Sequence, residues 1–292
     1  MKIAYICWET EPKYADEEIE NNELLLFLQN NGLDIHKEIW TDSNVNWKKY
    51  DLAVLKAPWD YHEKIDMFYS WLDRLEKLSI PLLNPPDVIK WNSDKHYLKE
   101  IADTGLPVTP TLYLEKGSHV KLEGFFNKLN TDKLIIKPCI SGGSKNTFST
   151  ERKEVKHIES KINELLKTES YMVQPFLKEI LSEGEWTFLF FNGQFSHCLL
   201  KKPVAGDFRV QMHFGGSVHA MTPPAEYLKS ASAYVSRFAK NCLYARVDGT
   251  ILNNRFLLME LELIDPYLYI TTDSGSCENY YKALKQRIDN MK

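Results

Sequence analysis

The sequence predicts an α/β protein with an open parallel sheet at its N-terminus and mixed α+β lobes after it. Three observations lead to this prediction. Apolar runs alternate with helical patterns over the first 85 residues, β-type segments dominate the middle of the chain, and two hairpin patterns lie nearer the C-terminus. Strands that alternate with helices are typical of parallel sheets, whereas tight hairpins form antiparallel ones.

The first segments predict the strands and helices of an open lobe. KIAYICW is a short apolar run of the kind found in buried strands, and IHKEIW and DLAVLKAPW are the next two predicted strands. One helix is predicted from Asp16 to Asn31, ended by Gly32, and another by the apolar spacing from Ile65 to Leu78. The lobe is of Rossmann type but lacks GxGxxG, so it carries no prediction of a dinucleotide site.

The middle of the chain begins with helix and then turns to strands. Residues Pro86 to Thr104 are predicted to form one helix that ends at Gly105. Strands are predicted at TPTLYLE, KLIIKP, NTFST and YMVQPFL, with a polar helix from Lys153 to Lys167 before the last of them.

The last third of the chain is predicted to contain two hairpins and two helices. The first hairpin turns at Asn192-Gly193, a dipeptide typical of two-residue turns, and the second closes around Asn254. An amphipathic helix between them carries an apolar stripe from Leu228 to Cys242, and a short helix ends the chain.

Composition and charge exclude several classes of protein. Against 40 Asp and Glu stand 36 Lys and Arg, and the resulting net charge of -4 argues against a general nucleic-acid-binding protein. No run approaches the roughly 18 apolar residues of a membrane span, and the N-terminus is too acidic for a signal peptide. The five cysteines are far apart and form no CxxC, which excludes a disulfide scaffold and a cysteine zinc knuckle. We therefore expect a soluble cytoplasmic protein without a nucleic-acid or membrane partner.

Three carboxylates form the clearest candidate site. Glu260 and Glu262 are two residues apart in MELELI and therefore share one strand face. If the second hairpin closes around Asn254, Asp248 lies opposite Glu260, and Arg246 lies opposite Glu262. Converging carboxylates repel one another unless a cation is bound, and such hard oxygen ligands suit Mg²⁺. A solvated strand face neutralised by Arg246 and nearby lysines is the alternative, and the residues alone do not decide between the two.

A second candidate combines a lysine with a glycine loop. Lys137 lies in the apolar strand LIIKP, where its charge requires an anionic partner. The loop Ser141-Gly142-Gly143-Ser144 follows, and its backbone N–H groups are of the kind that bind phosphate. The loop does not match the Walker pattern and by itself is best interpreted as a plain turn. Together, the lysine and the loop make a nucleotide site as good an interpretation as a structural one.

Other polar residues carry weaker signals. Lys201, Lys202 and Arg209 flank a glycine-containing loop and could clamp a phosphate or carboxylate, although an exposed, solvated loop is the simpler interpretation. By itself, Lys95 in WNSDKHYL would be a surface lysine of a helix. Cys139 is better explained by packing than as a nucleophile. The histidines lack metal-ligand spacing, and no nucleophile elbow or HExxH motif is present.

In sequence order, these features resemble the ATP-grasp superfamily. The lysine of NSDKHYL is followed by IIKP with its glycine loop, by VQPFL, by GDFR and FGGS, and by a strand that carries ExE. The similarity covers about residues 85–270. The motifs WDY, LLNPP, VQPF, EGEW and GDFR are most similar to the ligases of cycloserine biosynthesis, within the branch of glutathione synthetases and ribosomal-protein glutamate ligases. The resemblance implies a pre-grasp α/β domain at 1–85, a small grasp lobe with the phosphate loop at 86–173, and a C-terminal lobe with the metal site at 174–292.

The resemblance also implies a role for each candidate residue. The ATP phosphates would be contacted by Lys95 and Lys137, beneath a closing loop of Ser141, Gly142, Gly143 and Ser144. Adenine and ribose would be held by Gln174, Phe176, Leu177 and Glu185. The catalytic residues facing the transferred phosphate and the substrate carboxylate would be Lys201 and Arg209. Mg²⁺, or Mn²⁺ in its place, would be bound by Asp248, Glu260 and Glu262.

The implied activity is that of an ATP- and Mg²⁺-dependent ligase. It would activate a small carboxylate as an acylphosphate for attack by an amine or a similar nucleophile, and ring closure within one amino-acid-like molecule is a narrower form of the same reaction. A nucleotide-binding regulatory protein without ligase activity is the alternative, and a homodimer is one option for the oligomeric state. Three positions depart from the better-known relatives: Glu262 and Gln211 replace asparagine, and Thr187 replaces arginine.

Overall fold

The N-terminal part of the chain forms the parallel sheet that the sequence predicts. The structure is a computed structural model that describes residues 1–10, 15–204, 206–207, 209–210 and 214–291. Its first elements are β1 (Lys2–Cys7), α1 (Ala15–Asn30), β2 (Asp34–Ile39), β3 (Leu52–Ala57), α2 (Ile65–Lys77) and β4 (Leu82–Leu83). The strands are parallel and lie in the order β2-β1-β3-β4. Alternate residues of β1 face opposite sides, so Tyr5 packs in the core under α1, whereas Ile6 packs in the core under α2.

The prediction of one helix from Pro86 to Thr104 is wrong. Two shorter helices, α3 (Pro86–Asn92) and α4 (Tyr97–Asp103), are separated by a turn at residues 93–96. In this turn, the Asp94 carboxylate accepts a hydrogen bond from the backbone N–H of His96, and the backbone N–H of Lys95 donates to the Cys139 carbonyl at 2.8 Å. These bonds pair backbone groups that a continuous helix would have used and turn Lys95 inward. Its side chain is buried instead of lying on a helix surface.

A central antiparallel sheet follows, in the order β5-β8-β6-β7. Its elements are β5 (Leu112–Leu114), α5 (Glu123–Lys128), β6 (Lys133–Pro138), β7 (Phe148–Glu151), α6 (Val155–Leu165) and β8 (Tyr171–Pro175). Leu134 and Ile136 of β6 face the core formed with α5 and α6. Because side chains alternate along a strand, Ile135 and Lys137 face the other side, where they line a cavity.

The C-terminal sheet is antiparallel and has the order β11-β10-β9-β12-β13. The remaining elements are α7 (Glu179–Ser182), β9 (Glu185–Phe191), β10 (Gln194–Lys202), β11 (Ser217–Met221), α8 (Ala225–Phe238), β12 (Tyr244–Leu252), β13 (Arg255–Glu262) and α9 (Ser276–Asp289). Both predicted hairpins are confirmed, and their turns at 192–193 and 253–254 have positive φ at both residues. None of the helices described is long and apolar enough to cross a membrane.

The outer edge of β13 is hydrogen bonded to side chains from elsewhere in the chain. The Asn92 amide donates to the Leu261 carbonyl at 2.8 Å and accepts from the Leu263 N–H at 2.9 Å. The Tyr97 hydroxyl also donates to the Leu261 carbonyl, and it accepts a hydrogen bond from the Leu261 N–H, both at 3.0 Å. Asn84, of the LLNPP motif, donates to the Leu263 carbonyl at 2.7 Å. These bonds supply the pairing that a neighbouring strand would otherwise provide.

We expect Asn92→Ala to lower the free energy of unfolding by about 1–3 kcal/mol, because it leaves the Leu263 N–H unpaired and removes one of the two donors to the Leu261 carbonyl. Chemical denaturation monitored by circular dichroism measures this change. Asn31→Ala is the control, since the Asn31 side chain is exposed and donates to the Phe27 carbonyl of its own helix. Its effect on the free energy of unfolding should stay within about 0.5 kcal/mol. Equal losses in both variants would contradict the proposed importance of the edge bonds.

Candidate active site

A cavity of about 980 Å³ lies where the three sheets meet. Its lining includes every residue that the sequence analysis assigned to ATP, to metal or to catalysis. The candidates come from sequence positions as far apart as Lys95 and Glu262, so the fold brings together residues that no single motif contains. The roles of these residues stay predictions, but their proximity is a property of the structure.

The three candidate metal ligands lie on adjacent strands in the predicted register. Asp248 of β12 is opposite Glu260 of β13, and Arg246 is opposite Glu262. Asp248 is buried, whereas the side chains of Glu260 and Glu262 are 28% and 23% exposed and open to the cavity. The prediction that these carboxylates share one sheet face is therefore confirmed.

Basic side chains of the protein neutralise these carboxylates. Arg246 donates from Nε to Asp248 at 2.9 Å, and its Nη2 donates to Glu262. Lys201 pairs with Asp248 at 3.3 Å and also with Glu185. Lys95 pairs with Glu260 at 3.1 Å. The alternative interpretation of the sequence was a solvated strand face neutralised by Arg246 and lysines. The ion pairs of this interpretation are present in the structure, but they are enclosed rather than solvated.

The pKa values of the carboxyl groups differ according to their partners. Burial alone would raise the pKa of Asp248, but Arg246 and Lys201 outweigh it and hold that pKa below its ordinary value. Lys95 and Lys137 likewise lower the pKa of Glu260 in spite of burial. Burial, only partly offset by Arg246, raises the pKa of Glu262 to about 8. Glu262 is therefore the carboxylate of the three that most needs an additional positive charge.

Lys137 faces the same cavity from β6. Burial lowers the pKa of its ammonium group, and no ion pair joins it to any carboxylate of the described residues. The sequence predicts an anionic partner for Lys137. None of the described side chains forms an ion pair with it.

The glycine loop at residues 141–144 contacts the N-terminal part of the chain. A Cβ atom at Gly142 would lie 3.0 Å from Nδ1 of His62, which shows how closely the loop approaches this ring. The His62 Nδ1 atom is buried without a hydrogen-bond partner. Beside it, Lys145 pairs with Glu63 at 2.6 Å. The contact with His62 was not anticipated from the sequence, because nothing local links a histidine to a loop 80 residues later.

An apolar slot forms one end of the cavity. Leu177 and Met259 contribute to a small cluster of apolar side chains there, together with Ile180 and Val210. Gln174, from β8, is buried and donates to the Thr111 hydroxyl at 2.9 Å. A flat aromatic ligand would fit such a slot, since apolar walls with few polar groups are typical of adenine sites.

The predicted basic clamp is only partly formed. Lys201 is buried among carboxylates, whereas Lys202 is exposed. Arg209 lines the cavity but pairs with Asp207 at 2.7 Å, and its guanidinium lies 3.6 Å from the centre of the Phe214 ring. Gln211 and His213 lie outside the described residues.

Three further residues around the cavity carried no functional prediction. Arg246 bonds both Asp248 and Glu262, and its place two residues before Asp248 on the same strand was the available signal. Asp265 and Tyr269 follow β13 and line the same end of the cavity. The segment that contains these two residues has no regular periodicity. Its acidic and aromatic residues were the available sequence signal for a site.

A buried carboxylate holds this segment in place. Glu20 of α1 accepts hydrogen bonds from the backbone N–H groups of Leu268 at 2.7 Å and Ile270 at 3.1 Å. The same carboxylate pairs with buried Lys56 at 3.5 Å. Charge-assisted bonds to backbone groups are stronger than neutral ones, so the N-terminal sheet fixes the segment that carries Tyr269.

Two family models match parts of this chain. The model described as D-cycloserine synthetase DcsG, N-terminal domain, matches residues 3–84, and the model described as prokaryotic glutathione synthetase, ATP-grasp domain, matches residues 107–245. The cycloserine biosynthesis protein DcsG of Streptomyces lavendulae is 24% identical over 268 residues, which cover 85% of this chain and 87% of that protein.

Solved structures show the same fold over nearly the whole length. The crystal structure of D-cycloserine synthetase DcsG has a TM-score of 0.86 at 22% identity and covers 98% of this chain and 99% of its own. A D-alanine–D-alanine ligase from Bacillus anthracis has a TM-score of 0.76 at 20% identity, with coverage of 99% and 96%. The fold predicted from the ordered motifs is thereby confirmed.

We expect Gly142→Ala to displace the glycine loop from His62, because the added methyl group would meet the imidazole at 3.0 Å. Trypsin should then cleave after Lys145 at least about fivefold faster, since the roughly 1–3 kcal/mol that overpacking costs corresponds to about 5- to 150-fold in the open population. Limited proteolysis with mass spectrometry measures the rate. The double variant with His62→Ala restores space for the methyl group and should return the rate towards that of His62→Ala alone. If the double variant is cleaved as fast as Gly142→Ala, the His62 contact does not position the loop.

Proposed function

We propose that this chain is an ATP-dependent ligase of the ATP-grasp superfamily and that it uses Mg²⁺ and ATP to activate the carboxylate of a small, amino-acid-like molecule as an acylphosphate. An amine or similar nucleophile then displaces phosphate and forms a C–N bond. The observation that carries this proposal is the meeting of Lys137, the glycine loop and three carboxylates around one cavity.

The phosphate end of the nucleotide is assigned to Lys95, Lys137 and the loop at 141–144. Lys137 lines the cavity and has no ion pair among the described residues, so its ammonium group is available to a phosphate. Lys95 already reaches the loop, since its ammonium donates to the Ser141 carbonyl at 2.7 Å. Adenine is assigned to the slot beside Gln174, Phe176 and Leu177, and the ribose to the neighbourhood of Glu185.

The donor set suits Mg²⁺. Asp248, Glu260 and Glu262 offer carboxylate oxygens on neighbouring strands, and Mg²⁺ prefers oxygen ligands together with substrate phosphates. When bound, the metal neutralises charge on the transferred phosphoryl group. Burial raises the pKa of Glu262 to about 8, and a bound cation would offset the cost of ionising this carboxyl group. Mn²⁺, which accepts the same ligands, remains a second choice.

The side chains of the protein supply positioning and charge rather than a covalent nucleophile. In the first step the substrate carboxylate takes the γ-phosphoryl group and ADP leaves; in the second, an amine attacks the carbonyl carbon, and phosphate leaves with the bonding electrons. Lys201 and Arg209 are assigned to charge that develops on the transferred group. For Arg209 this requires exchange of Asp207 for the ligand. Similarity to proteins named for cycloserine synthesis supports the narrower proposal that amine and carboxylate belong to one molecule.

The proposed division into a pre-grasp domain at 1–85, a small lobe at 86–173 and a C-terminal lobe at 174–292 is supported by the sheets. Each segment contains most of one of the three sheets. The end of β8 crosses the second boundary, because Gln174 and Pro175 pair with Ile135 and Leu134 of β6. The cavity between them would then be the interlobe cleft in which the reaction occurs.

We expect Glu260→Gln to abolish turnover or to raise the Mg²⁺ requirement by at least tenfold, because the change removes one metal-ligand charge and leaves Lys95 unpaired. Release of ADP with a panel of small amino acids, at increasing Mg²⁺, measures this effect. Glu278→Gln removes an equivalent charge from an exposed pair with Lys282 and should leave turnover unchanged. An unaltered Mg²⁺ dependence in Glu260→Gln would place the metal elsewhere.

We expect Lys137→Met to weaken ATP binding by at least tenfold, which corresponds to the roughly 1.5–3 kcal/mol of a charged hydrogen bond. Methionine preserves the packing of the side-chain stem, and the loss of a partly buried charge should not destabilise the fold. Isothermal titration calorimetry with Mg²⁺ and ATP gives the dissociation constants, with exposed Lys121→Met as the control. Equal affinities of Lys137→Met and wild type would exclude Lys137 from the nucleotide site.

A further inference from the structure

Asp265 differs from the other carboxylates that line the same end of the cavity. Asp248, Glu260 and Glu262 are each paired with a basic side chain. The Asp265 carboxylate has no ion pair or hydrogen bond with any described residue, although its side chain is half-buried and lines the cavity. A carboxylate removed from water without a partner is unfavourable, so its retention at this position needs an explanation.

The position of Asp265 is fixed by its backbone. Its carbonyl accepts a hydrogen bond from the indole N–H of Trp59 at 2.9 Å, which joins the WDY motif of the N-terminal part to the segment after β13. Three residues later, Glu20 holds the backbone N–H of Leu268. The carboxylate therefore projects from a segment whose backbone is held on both sides, and among the described residues no side chain supplies its partner.

The nearby basic groups already have partners. Arg246, Lys95 and Lys56 all act electrostatically on Asp265. However, each of these groups has its own partners. Arg246 bonds Asp248 and Glu262. Lys95 bonds Glu260 and the glycine loop, and Lys56 pairs with Glu20. Glu260 also faces Asp265 and repels it. Burial and this repulsion raise the pKa of Asp265 to about 7, and a cationic group bound beside it would hold it ionised.

We propose that Asp265 binds the ammonium group of the substrate and thereby selects amino acids over the corresponding hydroxy acids. This inference rests on the proposed function, since it assigns a second contact to the molecule whose carboxylate is activated. Trp59, whose indole N–H bonds the Asp265 carbonyl, and Tyr267, two residues after Asp265, also line the cavity, and aromatic faces favour a bound ammonium group. A hydroxy acid would leave the carboxylate unpaired, so we expect a preference of about 10- to 100-fold for the amine.

The test compares matched pairs of ligands on the complete chain. D- and L-alanine are titrated against D- and L-lactate, and D- and L-serine against D- and L-glycerate, each with and without Mg²⁺ and ADP. Thermal shift titrations give the apparent dissociation constants. We expect wild type to prefer the amino member of at least one pair by tenfold or more and Asp265→Asn to reduce that preference below about threefold. Glu9→Gln is the matched control, because Glu9 is an exposed carboxylate on the same cavity and its loss should leave the preference intact.

Several outcomes would overturn the assignment of Asp265. These are equal binding of amino and hydroxy acids by wild type, binding of no amino acid in the panel, and an unchanged preference in Asp265→Asn. Asp265→Ser, which is shorter and also uncharged, guards against a packing defect specific to asparagine. Failure of wild type to bind Mg²⁺ and ADP would instead contradict the proposed ligase function, and the arms without nucleotide would still report the amine preference.

Discussion

The hydrogen bonding of the outer β13 edge is the constraint on which the site depends. An edge strand without partners exposes unpaired backbone groups, and a shift of one residue would move both Glu260 and Glu262 to the opposite face. The side chains of Asn84, Asn92 and Tyr97 prevent such a shift because each bonds a defined backbone group of the strand or of the residues directly after it. The loop before α3 and the turn between α3 and α4 are thereby tied to the carboxylates, and Lys95 in that turn meets Glu260 as a consequence.

The charges around Asp248 form a second level of organisation. Asp248 accepts from Arg246, pairs with Lys201 and also accepts a hydrogen bond from the Thr187 hydroxyl at 2.5 Å. Removing one member of such a buried group leaves an uncompensated charge, which costs more than the pair contributes. A metal ion that enters the site must therefore compete with basic side chains already bound to its ligands. The raised pKa of Glu262 shows that, of the three carboxylates, it is the one whose ionised form the basic groups of the protein stabilise least.

The parts of the structure that were predictable depend on local sequence. The alternation in MELELI and the asparagines at 253–254 define the hairpin, and the register of Asp248 with Glu260 follows from them. The parts that were not predictable depend on contacts between distant residues. The break between α3 and α4 requires the Cys139 carbonyl, and the fixed position of Asp265 requires the indole of Trp59. The ordered motifs predicted the fold and the candidate residues, but not that Lys137 has no ion pair among the residues that the structure describes.

Two of the departures that the resemblance to ATP-grasp ligases implies would change the charge of the site in the same direction. Glu262 replaces a neutral asparagine, and Thr187 replaces an arginine, so this chain carries two more negative units at these positions. Thr187 is fully buried between β12 and β10, where its short side chain orients Asp248, and Lys201 and Arg246 already occupy the space around that carboxylate. Arg246 neutralises Glu262 but is thereby unavailable to Asp265. Asp265, whose carbonyl bonds Trp59, has no ion pair among the described residues, and a substrate that carries its own positive charge would supply one.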